Sequence, residues 1–316
     1  MKNESKNEKK KYVFGPVPSR RLGRSLGVDL IPFKFCTFNC VYCQLGRTPT
    51  PSTQRQEYVP MDDVLTQIKE AVANGPRPDY ITMAGSGEPT LYTRLGELID
   101  RIHEATDVPV DIITNNSLLW MDEVFNAVIK ADLILPSLDA GDEETFLRIN
   151  RPADGVTFKK LLDGLEKLSK TCPEKVWLEV FIVNGVNDDE AHVRKIAALT
   201  RKFQFARVQL NTAVRPPAES EVKPVAPEKL HALAKLFTPE AEIIADFPHP
   251  KVTGIFKAHA EAVLEMLKRR PCTLDDIADG MGGARNEIIK AIDQLLNEKK
   301  IQVQKQGERD YYLVRE

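Results

Sequence analysis

The chain has 316 residues, with 44 Lys and Arg against 46 Asp and Glu, 42% hydrophobic residues and five cysteines. That length buries a large core and accommodates more than one domain, while the near-balanced charge gives no bulk attraction to nucleic acid or to a membrane surface. No run of about 18 apolar residues is present to span a bilayer, and five cysteines without a signal peptide read as a reducing, cytoplasmic protein rather than a disulfide framework. Residues 1–11 hold five lysines and no apolar core, which predicts a disordered basic tail. Apolar, partly β-branched runs at 26–31, 80–84, 110–114, 133–138, 176–183 and 208–214 predict strands buried on both faces. Amphipathic stretches at 61–73, 91–104, 120–129, 158–169, 189–200 and 227–237 predict the helices between them. Six strand–helix repeats argue for parallel βα units over 12–250, a doubly wound sheet or an incomplete barrel. Prolines from Pro216 to Pro250 then mark a looser linker. Over 251–316 the pattern changes. A helix at 255–268, a capping box at Thr273-Leu274-Asp275-Asp276, a turn at Gly280-Met281-Gly282-Gly283, a helix at 286–297 and a hairpin around Gly307 follow in the order of a small winged-helix domain.

Chemistry concentrates at one place. Cys36, Cys40 and Cys43 stand in a C-x3-C-x2-C run just after the first predicted strand. A loop this short turns three thiolates toward one centre, one ligand short of a closed zinc site or an all-cysteine cubane. On spacing alone, a zinc site completed by Cys172, Cys272 or a histidine stays open, although none of these carries a paired spacing. Polar and glycine-rich residues collect after the later strands: Gly85-Ser86-Gly87-Glu88, Thr114-Asn115-Asn116, and Ser137 with Asp139. In barrels and open α/β sheets chemistry lies at that end of the strands, while caps of the following helices are the structural alternative. Arg20, Arg21 and Arg24 precede the first strand and are candidates to hold a phosphate or carboxylate, with a solvated basic loop as the alternative. Arg151 and Asn211 are further candidates for substrate contact.

The triad with Tyr42 before its last cysteine, and the glycine–glutamate stretch 85–91 after the second strand, resemble the radical S-adenosylmethionine (radical SAM) superfamily. Stretch 15–27, Thr114-Asn115-Asn116, Ser137-Leu138-Asp139-Ala140 and Asn150-Arg151-Pro152 add a resemblance to its branch of wyosine-type tRNA synthases, over about 12–215. The resemblance implies a partial (β/α)6 TIM-like barrel and an oxygen-sensitive [4Fe-4S] cluster on Cys36, Cys40 and Cys43. S-adenosylmethionine would bind the open iron through its amino and carboxylate groups. It further implies reductive cleavage to a 5′-deoxyadenosyl radical that abstracts hydrogen from a substrate. Tyr42, Gly85, Ser86, Gly87, Glu88, Thr114, Asn115, Ser137 and Asp139 are the implied cofactor contacts, Glu88 accepting from the ammonium group. A small flavodoxin or ferredoxin is the implied reductant. The wyosine-type synthases carry a second cluster on cysteines mostly upstream of the triad, and this chain has none before Cys36. One cluster is therefore expected. The substrate stays open between a tRNA base and a peptide or protein docked by the winged helix. A non-catalytic iron–sulfur redox regulator is the remaining alternative. The eleven basic and eleven acidic residues over 255–316 give that domain no basic footprint, apart from Lys299, Lys300, Lys305 and Arg309 near the hairpin.

Overall fold

The computed structural model describes residues 10–245, 260–281, 285–307 and 309–315. Most of the predicted tail, Pro248 and Pro250, the start of the 255–268 helix, the Gly282-Gly283 turn and the boundary at 250/251 lie outside the described residues.

Two strands open the fold as an antiparallel hairpin, β1 (Val13–Ser19) and β2 (Gly23–Val28). β1 went unseen in the sequence because Pro16 and Pro18 break a ladder. It is tolerated as an edge strand that pairs only with β2. The chain then alternates: α1 (Met61–Asn74), β3 (Tyr80–Met83), α2 (Leu95–Ala105), β4 (Val110–Thr114), α3 (Asp122–Val128), β5 (Leu133–Pro136) and α4 (Glu143–Asn150). Next come α5 (Phe158–Thr171), β6 (Trp177–Ile182), α6 (Glu190–Phe203), β7 (Arg207–Thr212), α7 (Pro227–Ala234) and the short β8 (Glu242–Ile243). β2-β3-β4-β5 pair in parallel, as do β6-β7-β8. Parallel bridges Ile134 to Val176 and Ser137 to Glu179 join the two sheets. Strands β2 to β7 thus form the partial, barrel-like parallel sheet expected from the six repeats. α4, short and with only Phe146 and Ile149 buried as large apolar residues, carries too little periodicity to be read in advance. Its start is fixed by Asp142, which accepts from the Thr145 N–H at 2.9 Å.

Ile81, Val110, Ile112, Ile134, Val180 and Leu210 are fully buried between strands and helices. Each such side chain contributes roughly 1.5–3 kcal/mol on leaving water. α8 (Ala260–Leu267), α9 (Leu274–Met281), α10 (Arg285–Asn297) and the antiparallel hairpin β9 (Ile301–Gln306)–β10 (Arg309–Val314) share a second hydrophobic cluster. The predicted capping box is in place: the Thr273 N–H donates to Asp276 Oδ2 at 3.0 Å, and the Asp276 N–H donates to Thr273 Oγ1 at 3.1 Å. This unit packs on the open side of the barrel. Val17 of β1 joins its core, and the Tyr311 hydroxyl donates to the Val214 carbonyl, just past β7, at 2.8 Å. It therefore touches the edge strand β1 and the segment after β7. No helix among the described residues is long and apolar enough to cross a membrane.

Candidate active site

After β2 the chain crosses the C-terminal ends of the strands in a long loop that carries the three clustered cysteines. Two neighbours hold it. On one side the Lys34 N–H donates to the Ser86 carbonyl at 2.8 Å and the Glu88 N–H to the Phe35 carbonyl at 3.3 Å. On the other, Asn39 and Val41 N–H groups donate to the Asn150 and Ile149 carbonyls at the end of α4, each at 3.0 Å. Within it the Cys43 N–H donates to the Cys40 carbonyl at 3.2 Å. The result is that Cys36, Cys40 and Cys43 line one cavity of about 410 Å³ with Tyr42, Gly85, Ser86 and Gly87.

Each sulfur faces one nitrogen donor. Asn115 Nδ2 lies 3.5 Å from Cys36 Sγ, Asn150 Nδ2 3.5 Å from Cys40 Sγ, and Lys34 Nζ 3.6 Å from Cys43 Sγ. Asn150 and Lys34 were not among the expected site residues. For Asn150 the Asn150-Arg151-Pro152 stretch was the available signal; for Lys34 there was none. Burial pushes the Cys36 thiol up to about 12, with the Glu88 charge adding to it. Burial, then Asp139, pushes the Cys40 thiol well above its ordinary value. Strong positive charge at a thiol, as iron supplies, favours the thiolate that ligates it. Among the described residues no three His, Cys, Asp or Glu form a compact site for a single metal ion. A cubane takes its thiolates at three different irons, so its ligands need not converge on one point. Cys172 and Cys272 do not line the cavity, so the donor set stays at three. The residues fit a cluster with one iron left open.

Gly87 and Glu88 also make contacts within the fold that the sequence did not announce. A Cβ on Gly87 would lie 1.8 Å from the Phe35 carbonyl oxygen, so its bare Cα admits the cysteine loop. Asp29 clamps Ser86, accepting from its N–H at 3.0 Å and its hydroxyl at 2.6 Å. Glu88 does not line the cavity. Its Oε1 accepts from the Thr90 N–H at 3.1 Å and from the Thr90 and Thr114 hydroxyls at 2.6 Å each. Its Oε2 accepts from the Asn115 N–H at 2.8 Å. Burial raises its pKa, against those four donors. Glu88 and Thr114 thus lock the ends of β3 and β4 together, and Asn115 is aimed at Cys36 by that lock. Asn115, Ser137 and Asp139 border a crevice behind the cysteine loop that is too narrow to admit water. Asp139 accepts from the Tyr42 hydroxyl, from Asn150 Nδ2 at 2.9 Å and from the Phe181 N–H at 3.0 Å. The Tyr42 ring in turn stacks on Phe181 with centroids 3.9 Å apart. Burial pushes the Asp139 carboxyl up to about 6.

The arginines divide. Arg20 and Arg21, in the turn between β1 and β2, reach across the cavity. Arg20 Nη1 donates to Asn211 Oδ1 at 3.2 Å, and Arg21 pairs with Glu179 of β6 and approaches Gln209 of β7. Arg20, Arg21 and Asn211 line the cavity. Arg24 does not: it is held by Asp79 at the other end of the strands, its N–H donating at 2.7 Å. Arg151 is turned to Glu219 at 2.5 Å, beside Arg47, and is likewise not in the lining. The C-terminal unit contributes Met266, Arg269 and Arg270 to the wall, and Arg215 follows from the end of β7. None of these four was legible beforehand.

The profile of the Radical SAM superfamily matches residues 30–197. A protein named "GTPase Obg" of Brachyspira hyodysenteriae is 38% identical over 95% of the chain, which spans only 45% of that relative's length. A UPF0026 protein of Methanocaldococcus jannaschii is 32% identical over 92% of this chain and 87% of its own. Among solved structures, a radical SAM methyltransferase from Sphaerobacter thermophilus aligns with 70% of this chain and 66% of that one. Its TM-score is 0.52 at 16% identity, a likeness of fold alone. The chain belongs to the radical SAM superfamily of enzymes, and to the UPF0026 family of its archaeal relative.

Proposed function

We propose that this is a one-cluster radical SAM enzyme that abstracts hydrogen from a substrate held in the cavity between the barrel and the C-terminal unit. The superfamily implies a 4Fe–4S cluster and S-adenosylmethionine binding. Bound there, a cluster reduced by an external one-electron donor would pass that electron to the sulfonium of S-adenosylmethionine, whose C–S bond would break to give methionine and a 5′-deoxyadenosyl radical. The chain's own residues do the rest. Cys36, Cys40 and Cys43 hold the metal, and Asn115, Asn150 and Lys34 bear on their sulfurs. Hydrogen bonds and buried charge at ligating sulfur tune a cluster's potential. The stacked Tyr42–Phe181 pair and the C-terminal unit wall the cavity and limit what a carbon radical formed there could reach. The observation that carries this reading is the convergence of all three thiols and the Gly85–Gly87 backbone on one cavity.

The C-terminal unit, which we read as a winged helix, acts in this account as a wall. Met266, Arg269 and Arg270 face the cavity. A tRNA base as substrate draws on the wyosine-type resemblance and on exposed Lys305 on the hairpin. Its test is a tRNA nucleoside missing from a deletion strain, and an unchanged nucleoside profile would remove it. The enzyme reading itself is tested by anaerobic reconstitution with dithionite and S-adenosylmethionine. 5′-Deoxyadenosine and methionine are expected. A fully loaded chain that yields neither would leave only a redox-sensing role.

A further inference from the structure

We propose that the wall of this cavity carries an anion subsite for a phosphoryl group of a small phosphorylated substrate, built by Arg20, Arg215 and Arg269 with Arg270 beside them. It rests on the reading of the cavity as the site of radical chemistry and names the class of molecule that enters it.

Four guanidinium groups arrive from three separate parts of the chain: the β1–β2 turn, the segment after β7 and the end of α8. Two of them are buried and incompletely bonded. Arg215 and Arg269 have side chains 11% and 9% exposed, and the Nε of each makes no hydrogen bond among the described residues. The carboxylates leave those two Nε atoms unbonded: Arg215 Nη2 is 3.9 Å from Asp276 Oδ1, Arg269 Nε is 3.8 Å from Asp29 Oδ2, and Glu265 Oε2 engages only Arg269 Nη1, at 3.2 Å. Other contacts fix the side chains without using those donors. Arg269 Nη1 donates to the Glu265 carbonyl at 2.7 Å and its plane lies over the Phe14 ring at 4.2 Å. Arg215 Nη1 reaches Gln44 Oε1 at 3.4 Å. A buried donor without an acceptor is costly, and a native fold keeps one where a ligand supplies the partner.

The charge balance points to the same ligand. Arg20, Arg21, Lys34, Arg215, Arg269 and Arg270 line the cavity with Glu179, engaged by Arg21, as the one acid in that lining among the described residues, while Asp29, Glu265 and Asp276 stand behind Arg269 and Arg215. The cations press on one another. Burial, then Arg215 and Arg270, pulls the Arg20 guanidinium down to about 9, and burial, then Arg270, lowers Arg215. Arginine does not give up its proton in such a place, so the tension is relieved by an anion. A phosphoryl group brings three acceptor oxygens and a charge of about −1.5 to −2, and the planar fork of arginine matches it two donors at a time. A carboxylate brings two oxygens and one charge. Asp29 also clamps Ser86, which sets the Arg269 end of the subsite next to the glycine loop.

The test is calorimetric titration of the full chain, before and after anaerobic cluster loading, with inorganic pyrophosphate as the probe. Binding is expected in both forms, with a raised melting temperature. Arg215→Gln and Arg20→Gln should each weaken it about ten-fold or more, while Arg24→Gln, held by Asp79 elsewhere, should leave it unchanged. Arg20→Gln, in the β1–β2 turn, keeps the test open should Arg215→Gln fail to fold. No binding to wild type, or binding unaltered in both cavity variants, overturns the proposal. Displacement of pyrophosphate by S-adenosylmethionine assigns the arginines to the cofactor carboxylate and overturns it as well. Pyrophosphate binding in a chain that makes no 5′-deoxyadenosine would keep the subsite and remove the radical reading.

Discussion

Gly87→Ala tests how the cysteine loop is seated. The added methyl would lie 1.8 Å from the Phe35 carbonyl oxygen and 2.8 Å from Ile31 Cγ2. Backbone is the nearer obstacle, so no rotamer change relieves it. Overpacking of this kind costs about 1–3 kcal/mol. Moving Phe35 away also breaks the 3.3 Å bond from the Glu88 N–H, worth about another 1 kcal/mol. A loss of about 3 kcal/mol is expected, which for a chain of this size corresponds to a fall in melting temperature of several degrees. The more specific consequence is local. Phe35 precedes Cys36, so the variant should also bind less iron and sulfide on anaerobic reconstitution. Gly155→Ala is the comparison: it has φ +79° with nothing within 4 Å of an added Cβ. Left-handed strain alone should cost it about 1–2 kcal/mol and leave iron loading intact. Thermal melts and iron determination on both variants decide the matter. Wild-type iron content in Gly87→Ala would refute the account of how the two loops fit.

Asp111, fully buried on β4, is pushed up to about 7 from its ordinary 3.8 by burial, although Thr82 Oγ1 donates to it at 2.6 Å. The folded state then holds a proton that the unfolded chain has released, so stability falls as pH rises from about 4 to 7. Between pH 5 and 8 wild type should lose about 3 kcal/mol relative to Asp111→Asn, and parallel urea curves at the two pH values would count against the shift. Arg21→Ala strands Glu179, whose side chain is 15% exposed. Breaking one side of so buried a pair should cost about 3–5 kcal/mol, whereas Arg24→Ala at the surface should cost under about 1 kcal/mol, both read from denaturant midpoints. Asn150→Leu removes the amide that faces Cys40 Sγ and should make the cluster potential more negative. A redox titration followed by electron paramagnetic resonance that finds wild-type potential would dismiss that role.

Much of the barrel was legible because each of its features is local. Six apolar runs with helices between them specify parallel strands, and a cysteine loop and a glycine loop at consecutive strand ends follow from chain order. The capping box Thr273–Asp276 was readable for the same reason. What escaped depends on distant pieces of chain meeting. Arg20 and Arg21 were candidates to hold a phosphate or carboxylate, but their partners on β6 and β7 carried no local signal. Arg215, Arg269 and Arg270 carry no motif at all. Glu88 stands where expected, but its contacts were not readable, because its four donors come from Thr90, Thr114 and Asn115, and the last two lie on another strand's end. β1 was masked by its prolines, which only an edge position tolerates.

On the proposed reading, three cysteines hold one cluster whose fourth iron is free for S-adenosylmethionine. Iron content and the electron paramagnetic resonance spectrum of the reduced chain, with and without S-adenosylmethionine, test it directly. The account predicts about four irons per chain, a spectrum that changes when S-adenosylmethionine is added, loss of the cluster in Cys36→Ala, Cys40→Ala or Cys43→Ala, and retention in Cys172→Ala and Cys272→Ala. A cluster whose spectrum is indifferent to S-adenosylmethionine, or whose iron depends on Cys172 or Cys272, would contradict it.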